Sequence, residues 1–144
     1  MYRKLLAITV VISLGALAAD VSPRVLILKA TAYTSSYRET DHTPFVTATG
    51  ARTRLGIIAV SRDLLAEELP YGSLVKLVDL GRWKDGADAG RFDPLFKDLL
   101  FVVEDTMHPR KRQQIDVWLP DRGLALKFGV RRVKLVVVRR GRSP

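Results

Sequence analysis

Residues 101–120 read FVVEDTMHPRKRQQIDVWLP, and two short β-rich runs in this stretch flank a polar, basic turn. The first run ends at Asp105, and the second contains Asp116 between Ile115 and Val117. Side chains of a strand alternate between its two faces, so Asp116 points away from its apolar neighbours. If those neighbours face a core, Asp116 faces a groove; in the reverse orientation Asp116 is buried. The stretch therefore predicts two β-strands that carry carboxylates on either side of one turn.

Outward from this stretch, further runs rich in β-branched residues alternate with turn signals along the chain. The strand predictions are 25–33, 56–60, 73–78, 99–104, 114–118 and 132–138. Two short helices are predicted between them, one over 61–68 capped by Ser61 and one over 122–128 between Asp121 and Gly129. Six short strands without a β-α-β rhythm favour an all-β fold with one or two short helices, as a small barrel or a sandwich.

A chain of 144 residues is long enough for a single domain, which we place over residues 25–139. Residues 1–19 have the pattern of a signal peptide: Arg3 and Lys4, an apolar run, and small residues at its end. The alternative is a retained anchor, although the run is shorter than the roughly 20 residues of a spanning helix. The chain has no cysteine, which excludes disulfides. For an exported protein, this favours the bacterial periplasm or cell envelope over a small eukaryotic secreted scaffold.

The chain is strongly basic, with a formal net charge of +9. Much of the charge lies near its end, at Lys127, Arg131, Arg132, Lys134, Arg139, Arg140 and Arg142. Export and the lack of an RNA- or DNA-binding motif argue against a nucleic-acid partner. An anionic envelope polymer or a membrane surface is a better candidate partner for this basic C-terminal region, and a solvated face is the alternative. Residues 140–144 are predicted to be a disordered basic tail.

No motif for a metal or cofactor stands out. The acidic segment 79–98, expected to be an elongated surface hairpin, lacks the spacing of a calcium loop, and Trp83 and Phe92 in it either fold back or offer a surface for a sugar. His108 lies between Asp105 and Asp116, but three loosely spaced ligands are weak evidence for zinc. We therefore predict no metal site and no cofactor. There is also no Cys, no GxSxG motif and no phosphate-binding loop.

The pair of aspartates has two interpretations. Cleavage of a glycosidic bond needs a carboxylic acid that protonates the leaving oxygen, usually assisted by a second carboxylate. Asp105 and Asp116, on adjoining strands, are candidates for these roles. The structural alternative is that a carboxylate at a strand end accepts backbone N–H bonds in a turn, as Asp105 would in the turn from Thr106 to Pro109.

The order of several short motifs resembles the three-aspartate, or 3D, domain. The motifs are ATAYTSS (30–36), TATG (47–50), GIIAVSRDLL (56–65), LPYGSLVKL (69–77), VVEDTMHPR (102–110) and QIDVW (114–118). This family includes the C-terminal part of type A membrane-bound lytic transglycosylases and small muralytic stationary-phase proteins. The resemblance implies a six-stranded double-psi β-barrel that acts on peptidoglycan glycan strands.

The resemblance also implies roles for individual residues. Asp116 corresponds to the catalytic acid/base and Asp105 to the aspartate of the D-T-G turn. The residues implied to line a substrate groove are Thr31, Tyr33, Thr49 and Gly50, and His108 is a further candidate for substrate binding. The implied reaction cleaves the MurNAc–GlcNAc bond by attack of the sugar's own 6-hydroxyl, which gives a 1,6-anhydro product.

Two positions depart from the family pattern. Ser61 stands where the family has one of its three aspartates, and Met107 stands where it has a glycine. These departures favour an alternative function, a non-catalytic glycan-binding module of the envelope.

Overall fold

A computed structural model describes residues 22–35 and 45–142, which form six strands and three short helices. The strands are β1 (Arg24–Tyr33), β2 (Ile57–Val60), β3 (Leu74–Arg82), β4 (Phe101–Thr106), β5 (Gln114–Trp118) and β6 (Arg131–Arg139). The helices are α1 (Arg62–Ala66), α2 (Asp93–Phe96) and α3 (Arg122–Phe128). No helix in the described part of the chain is long and apolar enough to cross a membrane.

The strands close into one barrel in the order β1-β5-β2-β4-β3-β6. Two neighbouring pairs, β1 with β5 and β2 with β4, are parallel, and the remaining pairs are antiparallel. Exchanging β1 with β4, β2 with β5 and β3 with β6 leaves every neighbour and direction unchanged. Two three-stranded halves are therefore interlocked, and α1 and α3 follow equivalent strands. The expected fold, an all-β six-stranded double-psi barrel with short helices, is confirmed.

The strand and helix predictions are close to the observed elements. β5 has the predicted bounds, and β3 is longer than predicted because it continues to Arg82. Helix α3 begins after Asp121, whose side chain accepts a hydrogen bond from the backbone N–H of Leu124 at 2.7 Å. Ser61 precedes α1 without such a side-chain bond. The short helix α2 was not predicted, because its four residues lie in a segment rich in turn-forming residues.

Alternating residues of the strands fill the barrel. Ile58 and Val60 from β2 and Ile115 and Val117 from β5 are fully buried members of one core cluster. Aromatic side chains close one region of this core, where Phe92 lies edge-on to Phe128 at 4.9 Å between ring centroids. The interior around these residues is therefore apolar, and Asp116, between Ile115 and Val117 on β5, points outward.

Segment 79–98 folds against the barrel rather than forming an elongated surface hairpin. The chain turns tightly after β3, where Gly86 N–H bonds Arg82 O at 2.8 Å. Phe92 then folds back into the core and is 5% exposed, whereas Trp83 is 43% exposed. Of the two aromatic residues considered in this segment, Phe92 is thus part of the core and Trp83 lies on the surface.

Arg131 is an exception among the basic residues near the end of the chain, because its side chain is only 1% exposed. Its Nε donates to Asp79 Oδ1 at 3.1 Å, and its guanidinium lies 4.8 Å from the Phe92 ring centroid. Asp79 also accepts backbone N–H bonds from Gly81 and Phe92. This buried ion pair ties β3 and β6 to the folded-back segment.

The predicted tail begins with residues that contact the barrel. Arg140 donates to Glu67 O, and Gly141 N–H donates to Ser73 Oγ at 2.9 Å. A Cβ on Gly141 would lie 2.1 Å from Tyr71 O, so only glycine fits there without a shift. Residues 140 and 141 of the predicted tail are therefore in contact with the barrel. Residues 143–144 and the predicted signal peptide, 1–19, lie outside the described residues.

We expect Arg131→Met to lower the free energy of unfolding by about 3–5 kcal/mol, since it leaves the buried Asp79 carboxylate without its counter-charge. Urea unfolding followed by circular dichroism measures the change. Arg139→Met, an exposed change on the same strand, is the control and is expected to stay within about 0.5 kcal/mol. Equal losses in the two variants would contradict a structural role for the ion pair.

Candidate functional site

The candidate site lies on the outer face of the barrel, where β1 and β5 run side by side. Ile115 and Val117 point into the core, so Asp116 between them points outward and is partly exposed. Thr31 is its register partner on β1, and Thr31 Oγ1 donates to Asp116 Oδ1 at 3.1 Å. The first of the two orientations considered from sequence, with Asp116 on an outer face, is the observed one.

A β-bulge brings Asp105 to the same face. Ile58 pairs with Val103 but Ala59 pairs with Asp105, so Glu104 is an extra residue in β4. Without it, Asp105 would continue the inward alternation of Phe101 and Val103. The bulge reverses the direction of its side chain, as such insertions do next to functional sites.

Ala59 lies between the two carboxylates. It pairs with Asp116 on one side and with Asp105 on the other, so the two aspartates are separated by two strand spacings. At the usual distance between strands, their Cα atoms lie roughly 9–10 Å apart. The adjoining-strand arrangement considered from sequence is thus corrected, because β2 lies between β4 and β5.

Three donors hold the Asp105 carboxylate. The Tyr33 hydroxyl donates to Oδ2 at 3.2 Å, and the backbone N–H groups of Ala48 and Thr106 donate to Oδ1 at 3.1 and 3.0 Å. Tyr33 comes from β1, and β5 and β2 lie between its strand and β4. The predicted backbone-bonded turn role of Asp105 is therefore observed, together with a tyrosine contact.

The surroundings of Tyr33 raise the pKa of its hydroxyl. Its partial burial raises the pKa of the hydroxyl far above the usual range, and the negative charge of Asp105, the hydrogen bond to it and the charge of Asp116 act in the same direction. The hydroxyl therefore remains a donor throughout the physiological pH range.

The TATG motif, residues 47–50, forms a turn that packs against the bulge. Gly50 N–H donates to Thr47 O at 2.9 Å, and Gly50 has a φ of +83°, which favours glycine. Thr49 donates from Oγ1 to Glu104 Oε2 and from its N–H to Glu104 O. Thr49 and Gly50 thus buttress the bulged strand, while Thr31 and Tyr33 contact the carboxylates directly.

His108 belongs to an exposed turn. Its Nδ1 accepts the backbone N–H of Arg110 at 3.1 Å, so the imidazole is bonded within the turn. Met107, where the 3D pattern has glycine, is 9% exposed and donates its N–H to Val60 O at 3.0 Å. Among the described residues, no three His, Cys, Asp or Glu side chains cluster as metal ligands.

Ser61, where the 3D pattern has an aspartate, joins β2 to β5. It is fully buried, its N–H donates to Gln114 O at 2.9 Å, and its Oγ accepts from Gln114 N–H at 3.2 Å. Asp63 instead accepts two bonds from Gln113. Burial opposes ionisation of Asp63, but hydrogen bonds from Ser61 and Gln113 outweigh it and lower its pKa to about 2. Asp63 therefore binds Gln113 in the turn before β5. It is not a third carboxylate beside Asp105 and Asp116.

Two residues of the site were not singled out from sequence. Gln114 Nε2 donates to Thr31 Oγ1 at 3.1 Å and so orients the hydroxyl that faces Asp116. Tyr71 has a raised pKa, first because of burial and then because of the charge of Asp105. Strand alternation places Gln114 on the face of Asp116 and was the available signal; nothing local marks Tyr71.

Comparisons with known proteins give one structural similarity to report. No protein-family model and no curated protein matches the chain. The chain is similar to a mutant expansin from Clavibacter michiganensis in a crystal structure with cellohexaose, with a TM-score of 0.43 and 15% sequence identity. The alignment covers 84% of this chain and 54% of the expansin chain, so the protein spans about half the length of that structure.

We expect Tyr33→Phe to reduce the loss of stability at alkaline pH. Unfolding lets Tyr33 ionise above about pH 10, while the folded state keeps it protonated, so the wild-type protein loses stability as pH rises through that region. The variant lacks this contribution, although losing a hydrogen bond to a carboxylate costs about 1–3 kcal/mol at neutral pH.

Urea unfolding at neutral pH and above about pH 10 measures both effects. Tyr71→Phe is the comparison: it retains the large Tyr33 contribution and removes only the smaller one of Tyr71, whose pKa is also raised, so it is expected to keep most of the alkaline loss. An alkaline loss as steep in Tyr33→Phe as in the wild type would contradict the assigned Tyr33–Asp105 contact.

Proposed function

We propose that the protein is a glycan-binding protein of the bacterial cell envelope and that its ligand is the glycan strand of peptidoglycan. The observation that carries the proposal is the row of outward groups across four neighbouring strands, β1, β5, β2 and β4: Thr31 with Asp116, Ala59, and Asp105 with Tyr33. Carboxylates and hydroxyls fixed in this way are suited to the many hydroxyl and amide groups of a glycan.

The fixed orientation of these groups supports binding. Asp105 receives three hydrogen bonds, so its carboxylate is held in place before a ligand arrives. The Thr31 hydroxyl is likewise fixed between Gln114 and Asp116. Groups that are already ordered lose less conformational entropy on binding, which favours affinity.

The proposed setting is the periplasm or cell envelope. It rests on the signal-like residues 1–19, on the absence of cysteine and on the resemblance of the site motifs to the 3D domain. The two departures from that pattern, Ser61 and Met107, support binding as the first function to test, since the third aspartate of the catalytic relatives is missing.

The purified protein is expected to cosediment with purified peptidoglycan sacculi. Thr31→Val and Asp105→Asn each remove a polar contact and are expected to weaken binding by about tenfold. Asp98→Asn, which neutralises an exposed carboxylate in a loop, is the control and should bind like the wild type. Absence of cosedimentation, or equal binding by all variants with unchanged melting temperatures, would sink the proposal.

A second candidate function is cleavage of the bound strand. It is favoured by the partial exposure of Asp116 beside a hydroxyl, on the same face as a second, firmly held carboxylate. In this reaction, protonated Asp116 donates its proton to the glycosidic oxygen as that bond breaks. Attack of the sugar's 6-hydroxyl on the anomeric carbon forms the anhydro ring, and its proton passes to the Asp116 carboxylate. Asp105 would orient the strand.

Digestion of sacculi followed by mass spectrometry of the soluble products tests cleavage separately from binding. The cleavage candidate predicts 1,6-anhydro muropeptides from the wild type and a loss of at least about 100-fold in Asp116→Asn, the usual scale for removing a general acid. The control is that Asp116→Asn still cosediments with sacculi. Binding without any released product would exclude cleavage and leave binding as the activity.

A further inference from the structure

An exposed tryptophan on the barrel wall lies between two cations. The Trp83 ring centroid is 5.8 Å from Lys29 Nζ and 5.0 Å from the guanidinium carbon of Arg132. Lys29 and Arg132 are register partners on β1 and β6. The backbone N–H of Trp83 donates to Val130 O at 2.9 Å, just before β6. The indole ring and both cations are therefore positioned by the strands themselves.

A depression of about 360 Å³ adjoins this cluster, lined by Trp83, Arg132 and the turn after β3. Arg82 and Lys84 add positive charge, while the one carboxylate in the lining, Asp85, forms an ion pair with Arg82 at 3.2 Å. Among the described residues, no carboxylate forms an ion pair with Lys29 or Arg132. The depression therefore carries an excess of positive charge.

The closeness of Lys29 and Arg132 is electrostatically unfavourable unless an anion lies between them. Two like charges on neighbouring strands repel one another, and cross-strand pairs of like charge are destabilising. The ring of Trp83 offsets part of the repulsion through cation–π attraction, worth about 0.5–1 kcal/mol per exposed contact. A bound anion would offset the remainder and would bridge the two cations.

The cluster is continuous with the carboxylate face. Lys29 and Thr31 point to the same outer side of β1, with Cα atoms about 6–7 Å apart. Lys29 is the register partner of Gln114 on the neighbouring strand β5, and the Gln114 side chain donates to the Thr31 hydroxyl. A polymer that lies over Asp116 and continues along β1 therefore passes over Lys29 and reaches Trp83.

We propose that Lys29, Trp83 and Arg132 form a binding site for anionic groups, carboxylate or phosphate, carried by the glycan that also contacts Asp116. The proposal rests on the proposed function for the identity of the polymer. Its chemistry, an anion held between an ammonium and a guanidinium, depends only on this cluster.

Isothermal titration calorimetry of the full protein with defined oligomers tests the site. The probes are an oligogalacturonate, an oligomer of glycerol phosphate, an uncharged chitooligosaccharide and vesicles containing an anionic phospholipid. The double variant Lys29→Gln/Arg132→Gln is expected to bind the preferred anionic oligomer about tenfold more weakly than the wild type, because it loses two charge-assisted contacts. Arg132→Lys in an otherwise wild-type chain keeps the charge and is expected to retain most of the affinity.

The control is Lys97→Gln/Arg139→Gln, which removes the same charge from exposed positions elsewhere on the barrel. Normal affinity in this control, together with weak binding in Lys29→Gln/Arg132→Gln, supports the site, and the oligomer that binds identifies carboxylate or phosphate. Equal weakening in both double variants would overturn it in favour of diffuse charge. An equal loss of the uncharged oligomer, or binding of vesicles without either anionic oligomer, would also overturn it.

Failure of this proposal is distinguishable from failure of the proposed function, because the oligomers contain no peptidoglycan. Sacculi that bind the wild type while neither anionic oligomer binds would overturn the anion site alone. Anionic oligomers that bind at the cluster while sacculi do not would support the site and reject peptidoglycan as its polymer.

Discussion

The insertion of β1 between β5 and β6 closes the barrel, and the candidate binding face depends on it. Parallel pairing with β5 sets Thr31 opposite Asp116, and antiparallel pairing with β6 sets Lys29 opposite Arg132. A strand that slipped by one residue would move all of its outward side chains into the core. The apolar residues of β1 hold the register, because Leu28 and Ala30 are buried in the core cluster. Barrel closure and the geometry of the face are therefore fixed by the same packing.

Two local devices adapt this barrel. The bulge at Glu104 turns Asp105 outward, and the Thr47–Gly50 turn packs against the bulge through Thr49. Elsewhere in the barrel, the buried ion pair between Asp79 on β3 and Arg131 on β6 anchors the segment that follows β3. That segment carries Trp83, so the ion pair indirectly positions the exposed ring beside Lys29. The bulge places Asp105 where simple strand alternation would not, whereas Asp79 and Arg131 follow the inward alternation of their strands and need each other as partners there.

The outer face divides into an acidic and a basic part along β1. Asp105 and Asp116 lie toward one side, with hydroxyl groups of Tyr33 and Thr31 directed at them. Lys29 and Arg132 lie toward the other side with Trp83. A neutral sugar backbone with anionic substituents matches this division better than a uniformly charged polymer does. The aspartates would repel anionic groups, whereas the ordered polar groups beside them can form hydrogen bonds with sugar hydroxyls. Binding by such a face does not require cleavage, which would depend on Asp116 alone as acid and base.

The sequence by itself determined the approximate strands, the helix after Asp121 and the opposite directions of Asp116 and its apolar neighbours, because each follows from periodicity or from a local backbone preference. Which of the two faces of β5 lies toward the core was left open. Only the tertiary structure decided that Asp105 turns outward, that Tyr33 reaches it from 72 residues away, and that Thr31 meets Asp116 across 85 residues. It also buried Arg131 and Phe92 while leaving Trp83 exposed. These features arise from the pairing of distant strands and from one extra residue in β4. Their energies come from contacts between segments far apart in the chain, and a local pattern carries no record of which segments will meet.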